Sequence, residues 1–184
     1  MQSLLPTPLH PAIVHLPIAL SLLLPLFAAG SIWAIRKGAR PIKAWGLTTA
    51  LFAALTLSSW VAVETGHDQE ERVENVVADA PIESHEEAAE SFLLLSLGVL
   101  GIAAIGLSSG KFGSVARVAG AVGTLVLVVA GYQVGHSGGQ LVYKYGAASA
   151  YTSGGSAVVR AGEVANDGRQ GERNREGRAD HRKR

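Results

Sequence analysis

The sequence predicts an all-α integral membrane protein, a four-helix bundle with both termini on the periplasmic side of the membrane. Hydrophobic residues make up 48% of the 184 residues and charged residues only 17%, against about 25% charged residues in soluble domains. The charges are also segregated, because four long stretches contain none. Each stretch is close to the roughly 17–25 residues that a helix needs to cross the hydrocarbon core of a bilayer. The charge-free stretches are 11–35, 44–63, 91–109 and 118–134.

These stretches predict four transmembrane helices within one domain, residues 1–150. A helix of a soluble bundle carries a polar face, whereas these stretches are apolar on every face, which favours contact with lipid. The remaining segment, residues 151–184, is polar and rich in Arg, Gly and Glu, so we expect a disordered C-terminal tail. The predicted helices lie at about 11–35, 43–65, 85–109 and 115–135.

Local patterns predict where three of these helices begin or end. Ser84 and Glu87 have the S-x-x-E spacing of a capping box, which would start the third helix with His85 in its first turn. Gly66 and Gly135 each precede a histidine and are expected to cap the ends of the second and fourth helices. Apolar residues at helical spacing between 68 and 80 predict a short separate amphipathic helix.

The charges in the loops predict the orientation in the membrane. The loop between the first two helices and the loop between the last two contain basic residues and no acidic one, which is typical of cytoplasmic loops. The loop at 64–90 holds ten acidic residues and one arginine, so we place it in the periplasm and the protein in a bacterial inner membrane. The basic residues are Arg36, Lys37, Arg40 and Lys43 in the first loop and Lys111 and Arg117 in the third.

Five of the six histidines fall at the predicted outer end of the bundle. Counted at 1.5 Å per residue from the cytoplasmic end, His15 and His136 lie about 28–30 Å out, and the other three about 36–39 Å out. We therefore predict that His15 and His136 form a deeper ligand pair on different helices. The higher group is His10, His67 and His85, and the carboxylates expected to support the ligands are Glu64 and Glu86.

The side chains available in the sequence limit which cofactors the chain could bind. The chain has no cysteine, which excludes disulfides, thiolate metal sites, iron–sulfur clusters and c-type haem attached through cysteine. Histidines from facing helices bind haem b, so the pattern predicts a haem b electron-transfer protein or subunit rather than a stand-alone enzyme. Cu, Fe or Zn held by histidine and carboxylate is one alternative, and a structural membrane subunit without a cofactor is the other. No nucleic-acid partner is expected.

Four sequence motifs resemble those of the bacterial four-helix membrane family catalogued as domain of unknown function 2231. The resemblance covers roughly residues 8–150 and implies the same fold and topology. It also implies a role in electron transfer, because family members resemble components of respiratory gene neighbourhoods and some are joined to c-type haem domains. A quinol in the bilayer would then be the donor and a periplasmic c-type cytochrome the acceptor. The motifs are HPAIVHLPIA at 10–19, ETGH at 64–67, HEEA at 85–88 and GHSGGQLVYKYG at 135–146.

Overall fold

A computed structural model describes residues 10–151. The predicted C-terminal tail beyond residue 151, with His181, lies outside the described residues. Within them the chain is all-helical and contains no strand, which confirms the predicted fold class. A short 3-10 helix, Ala147–Tyr151, follows the last α-helix. The α-helices are α1 (His10–Ile13), α2 (His15–Arg36), α3 (Pro41–Glu74), α4 (Asp79–Ile105) and α5 (Gly110–Tyr143).

Four segments are long and apolar enough to cross a membrane. The first consists of α1 and α2 together, and the other three are α3, α4 and α5. Their outer surfaces carry large apolar side chains such as Leu22, Leu94 and Val129, which are 60%, 70% and 60% exposed. Side chains of this kind on every helix are suited to lipid rather than to water. The chain therefore has the architecture of a multi-pass membrane protein.

The four long helices pack as a square in which each of α2, α3, α4 and α5 contacts two of the others. Helix α2 packs against α3 and α5, and α4 packs against the same two helices, so α2 and α4 occupy opposite corners. Short connections at 37–40, 75–78 and 106–109 join successive helices, which makes neighbours antiparallel. The start of α2, the end of α3, the start of α4 and the end of α5 thus share one end of the bundle, which we call the histidine end. The connections at 37–40 and 106–109 form the opposite, basic end.

Arg117 is predicted from the sequence as a basic residue of the third loop. In the structure it lies within α5 and is only 6% exposed. One nitrogen of its guanidinium donates hydrogen bonds to the carbonyls of Gly106 and Ser108, at 2.6 and 3.1 Å. A cation at the end of α4 satisfies carbonyls that the helix leaves free and complements the helix dipole. Lys111 remains exposed at this end.

Helix α3 extends beyond its predicted end at residue 65 to Glu74, and Gly66 lies inside it. The predicted amphipathic helix at 68–80 is therefore wrong: residues 68–74 continue α3, and Asp79 already belongs to α4. A growing helix gains one hydrogen bond per residue, whereas an interior glycine costs only about 1 kcal/mol. Gly66 is thus too weak a signal to end a helix outside the apolar stretch.

The other predicted ends near the histidines are also corrected. Helix α4 begins at Asp79, so Ser84 and Glu87 do not cap it and His85 lies in its second turn. Helix α5 runs through Gly135 to Tyr143. Only the first helix is interrupted, between α1 and α2 at Val14. Pro17 explains the interruption because it lacks the N–H that would bond to residue 13.

Candidate histidine site

The five predicted ligands occupy the histidine end but do not form one cluster. His10 faces His85, and His67 contacts Glu86. His15 and His136 are exposed. Among residues 10–151 no group of three or more His, Cys, Asp or Glu side chains is arranged to hold a metal ion. The histidines brought together are therefore a pair.

The pair joins α1 to α4. The rings of His10 and His85 are both half-buried, with centroids 6.5 Å apart and planes at 83°. His85 precedes the buried Phe92 by seven residues, and residues seven apart lie on the same face of a helix. The inner face of α4 thus carries His85 into the bundle, while α1, which packs against α3, carries His10.

His10 is held by α3. Its Nδ1 atom lies 2.8 Å from the carbonyl oxygen of Ala62 and 3.4 Å from Thr65 Oγ1. A carbonyl only accepts hydrogen bonds, so Nδ1 of His10 carries the proton and donates it. A side chain on Gly66 would place its Cβ 3.4 Å from His10 Cε1. This distance is ordinary van der Waals contact, so the His10 ring packs directly against α3 beside Gly66.

His85 is held in the same way by α5. Its Nδ1 atom lies 2.8 Å from Ser137 Oγ, and Ser137 Oγ lies 3.0 Å from the carbonyl oxygen of Val134. The backbone carbonyl of Val134 is also a hydrogen-bond partner of His85, and whether the ring donates to the Ser137 hydroxyl or accepts from it depends on the tautomer of His85. A Cβ on Gly138 would lie 3.0 Å from His85 Cε1, which is closer than side chains normally approach.

The bond to the Ala62 carbonyl leaves the lone pair of His10 on Nε2, and a proton on Nδ1 of His85 would leave the same lone pair there. A histidine that binds a metal usually donates its other ring N–H to a carbonyl, carboxylate or water, which orients the ring. His10 and His85 meet this condition through Ala62 and Ser137. The pair is chemically equipped to offer two neutral nitrogen ligands.

The third histidine of the higher group makes an ion pair instead. His67 Nε2 lies 2.9 Å from Glu86 Oε1, and both side chains are partly exposed. This contact joins α3 to α4 one residue from His85. Glu86 therefore contacts one of the candidate ligands, His67. Glu64 lies exposed on α3.

The predicted deeper pair points away from the bundle interior. His136 stacks on Tyr132, with ring centroids 5.9 Å apart and planes at 15°, and its Nε2 accepts from the Gln140 amide at 2.9 Å. His15 is exposed at the start of α2. Within residues 10–151 no ring contact or hydrogen bond joins His15 to His136. Their role as a ligand pair stays a prediction.

Sequence reasoning missed the residues that hold the rings. Val134, Ser137 and Gly138 lie at spacings of three and four, so they share one face of α5, and that face receives His85. The signal in the sequence is the pair of small residues Ser137 and Gly138, and a Cβ at Gly138 would lie 3.0 Å from the His85 ring. His136 itself lies on the other face.

Comparison of the chain with protein-family models, with curated proteins and with solved structures finds no match in any of the three. The resemblance to the four-helix membrane family therefore stays a prediction, and the function is argued from the site.

Proposed function

We propose that this chain is a membrane-embedded b-type haem electron-transfer protein or subunit, with His10 and His85 as the axial ligands. The observation that carries the proposal is the pair of facing imidazoles on α1 and α4, each with its Nδ1 atom in a hydrogen bond. Haem needs only axial ligands from the protein, because the porphyrin supplies the other four. A zinc site takes three or four protein ligands. A two-histidine donor set therefore fits haem better than a bare metal ion.

The ring centroids of His10 and His85 lie 6.5 Å apart, which supports these two histidines as the residues that would hold the haem. At Gly138 the bare backbone leaves room for the ring of His85. A bound haem would supply one-electron redox chemistry. The protein would orient the two rings and keep the deprotonated Nε2 atoms available.

The absorption spectrum of the purified protein tests the proposal. Bands typical of low-spin haem b are the expected result. A colourless protein with stoichiometric copper, iron or zinc would instead favour a non-haem site that includes His67 and Glu86. A protein with neither bands nor metal would be a structural membrane subunit. The variants that assign the ligands are argued in the Discussion.

We further propose that the histidine end faces the periplasm of a bacterial inner membrane, with both termini on that side. The support is the charge difference between the two ends, since basic residues are retained on the cytoplasmic side. Reporter fusions after Gly38 and after Ala165 should give a cytoplasmic and a periplasmic signal, respectively. The reverse pattern would move the histidine end to the cytoplasm.

The histidine end also suggests its partner. Every acidic residue of residues 10–151 lies between Glu64 and Glu90, and most of these side chains are exposed around the site. We propose that this acidic surface docks a basic periplasmic c-type cytochrome as electron acceptor, with a quinol in the bilayer as donor. Opposite charges mainly raise the rate of encounter.

The docking proposal predicts a salt-dependent association rate. Binding of a basic cytochrome c, followed by surface plasmon resonance, should slow by roughly tenfold or more between low salt and 1 M, as screening shortens the Debye length to ~3 Å. Glu71→Gln with Glu74→Gln should slow it at low salt, because both exposed charges are lost. Lys111→Gln, at the basic end, is the control. If neither salt nor the glutamine substitutions change the association rate, the proposal that the acidic surface docks a cytochrome is contradicted.

A further inference from the structure

We propose that the connection between α2 and α3 binds the headgroups of anionic phospholipids. Within residues 10–151 every acidic residue lies between Glu64 and Glu90, and this segment belongs to the histidine end. Among the described residues the basic end thus holds cations and no carboxylate, whatever the histidines bind. Its four exposed cations at this connection, which we call the basic surface, are Arg36, Lys37, Arg40 and Lys43.

The last carbonyl groups of α2 are already satisfied by the backbone. Gly38 adopts a φ of 97°, and the N–H groups of Gly38 and Ala39 donate to carbonyl oxygens in the last turn of α2, each at 3.0 Å. This pattern is a Schellman motif. At the end of α4 the buried guanidinium of Arg117 donates to the free carbonyls instead. Arg36 and Lys37 are therefore not needed to cap α2, and their charges remain exposed.

The first turn of α3 adds to the positive charge of the connection. Arg40 precedes this helix and makes no side-chain capping hydrogen bond, and the first turn contains Lys43 and no acidic residue. The N-terminal end of a helix carries partial positive charge, so a carboxylate there would stabilise it and a cation does not. The basic surface thus lies beside an uncompensated helix end, and a phosphate group would neutralise both.

Apolar side chains beside these cations favour a lipid as the source of the phosphate. Trp33 is 65% exposed one turn before Lys37, and Ile42 is 61% exposed next to Lys43. Tryptophan is enriched at the level of the lipid headgroups, where each basic residue strengthens the attraction to anionic lipids by roughly fivefold. A phospholipid can contact the cations through its phosphate and Trp33 through its acyl chains. A soluble anion can contact the cations alone.

Two exposed tryptophans allow the lipid at each end of the bundle to be measured separately. Trp60 is 52% exposed on α3, about 28 Å from the start of that helix, whereas Trp45 is fully buried. Trp60→Phe leaves Trp33 as the exposed reporter, and Trp33→Phe leaves Trp60. The measurement is fluorescence quenching in vesicles by brominated phosphatidylglycerol, which is anionic, or brominated phosphatidylcholine, which is zwitterionic. At Trp33 phosphatidylglycerol should be preferred by roughly fivefold or more, and at Trp60 it should not be preferred.

Lysine variants assign the preference to the basic surface. Lys37→Gln with Lys43→Gln should remove most of the preference at Trp33, and Lys37→Arg with Lys43→Arg, which keeps both charges, should retain it. Lys144→Gln, which removes an exposed lysine at the histidine end, is the control and should change nothing. Salt at 1 M should weaken the preference by screening. Equal quenching by the two lipids at Trp33 overturns the proposal, and so does a preference that the glutamine variant retains or that Trp60 shares.

Discussion

Replacing His10 or His85 with alanine is expected to abolish the haem b spectrum. Each substitution removes one Nε2 lone pair, and the other histidine faces it from another helix. The fall in haem affinity should exceed about 100-fold, the upper end of what loss of a supporting hydrogen bond costs. The measurement is titration with haem, followed by absorption.

Two kinds of variant separate a lost ligand from a lost fold. His10→Asn keeps an N–H donor for the Ala62 carbonyl but has no ring nitrogen to bind iron, so it should fold normally and still lose the spectrum. His15→Ala and His136→Ala remove exposed histidines at the same end and should keep it. Loss of the spectrum in these two, with normal spectra for the His10 and His85 variants, would transfer the axial role to the predicted deeper pair.

The all-helical fold and the four apolar spans were predictable because they depend on a property that the sequence displays directly. A helix in lipid must exclude charged residues over a length set by the bilayer, and the charge-free stretches of the sequence have about that length. The helix ends are set by weaker effects, such as the cost of Gly66 inside α3, and local patterns did not predict them. The continuation of α3 to Glu74 lies outside the apolar stretch, where no membrane constraint applies.

The histidine end was predictable in the same way, but the pairing was not. Counting residues gives the depth of a side chain and says nothing of the direction in which it points. His136 follows the exposed Val129 by seven residues, whereas His85 precedes the buried Phe92 by seven. In a soluble helix a polar outer face reveals this difference, but in lipid both faces are apolar. Which histidine faces the interior and which faces outward, at similar depth, is known only once the packing of the helices is known.

A clear loss of stability is expected from a substitution at the basic end, at Gly106. A Cβ at this position would lie 2.5 Å from Trp45 Nε1 and 2.9 Å from the carbonyl of Ala103. The indole of Trp45 is fully buried and donates a hydrogen bond to that carbonyl at 2.9 Å. Gly106→Ala therefore forces the indole away from its acceptor and also crowds Arg117, which bonds to the Gly106 carbonyl.

Gly106→Ala should lower the free energy of unfolding by about 1–3 kcal/mol, the usual cost of overpacking a filled interior. Gly101→Ala, five residues earlier in α4, is the control: a Cβ there meets nothing within 4 Å. Because alanine is the better helix former by roughly 1 kcal/mol, Gly101→Ala should leave stability unchanged or raise it. Unfolding in mixed detergent micelles, followed by tryptophan fluorescence, gives both values. Equal effects of the two substitutions would show that Trp45 does not require the space at Gly106.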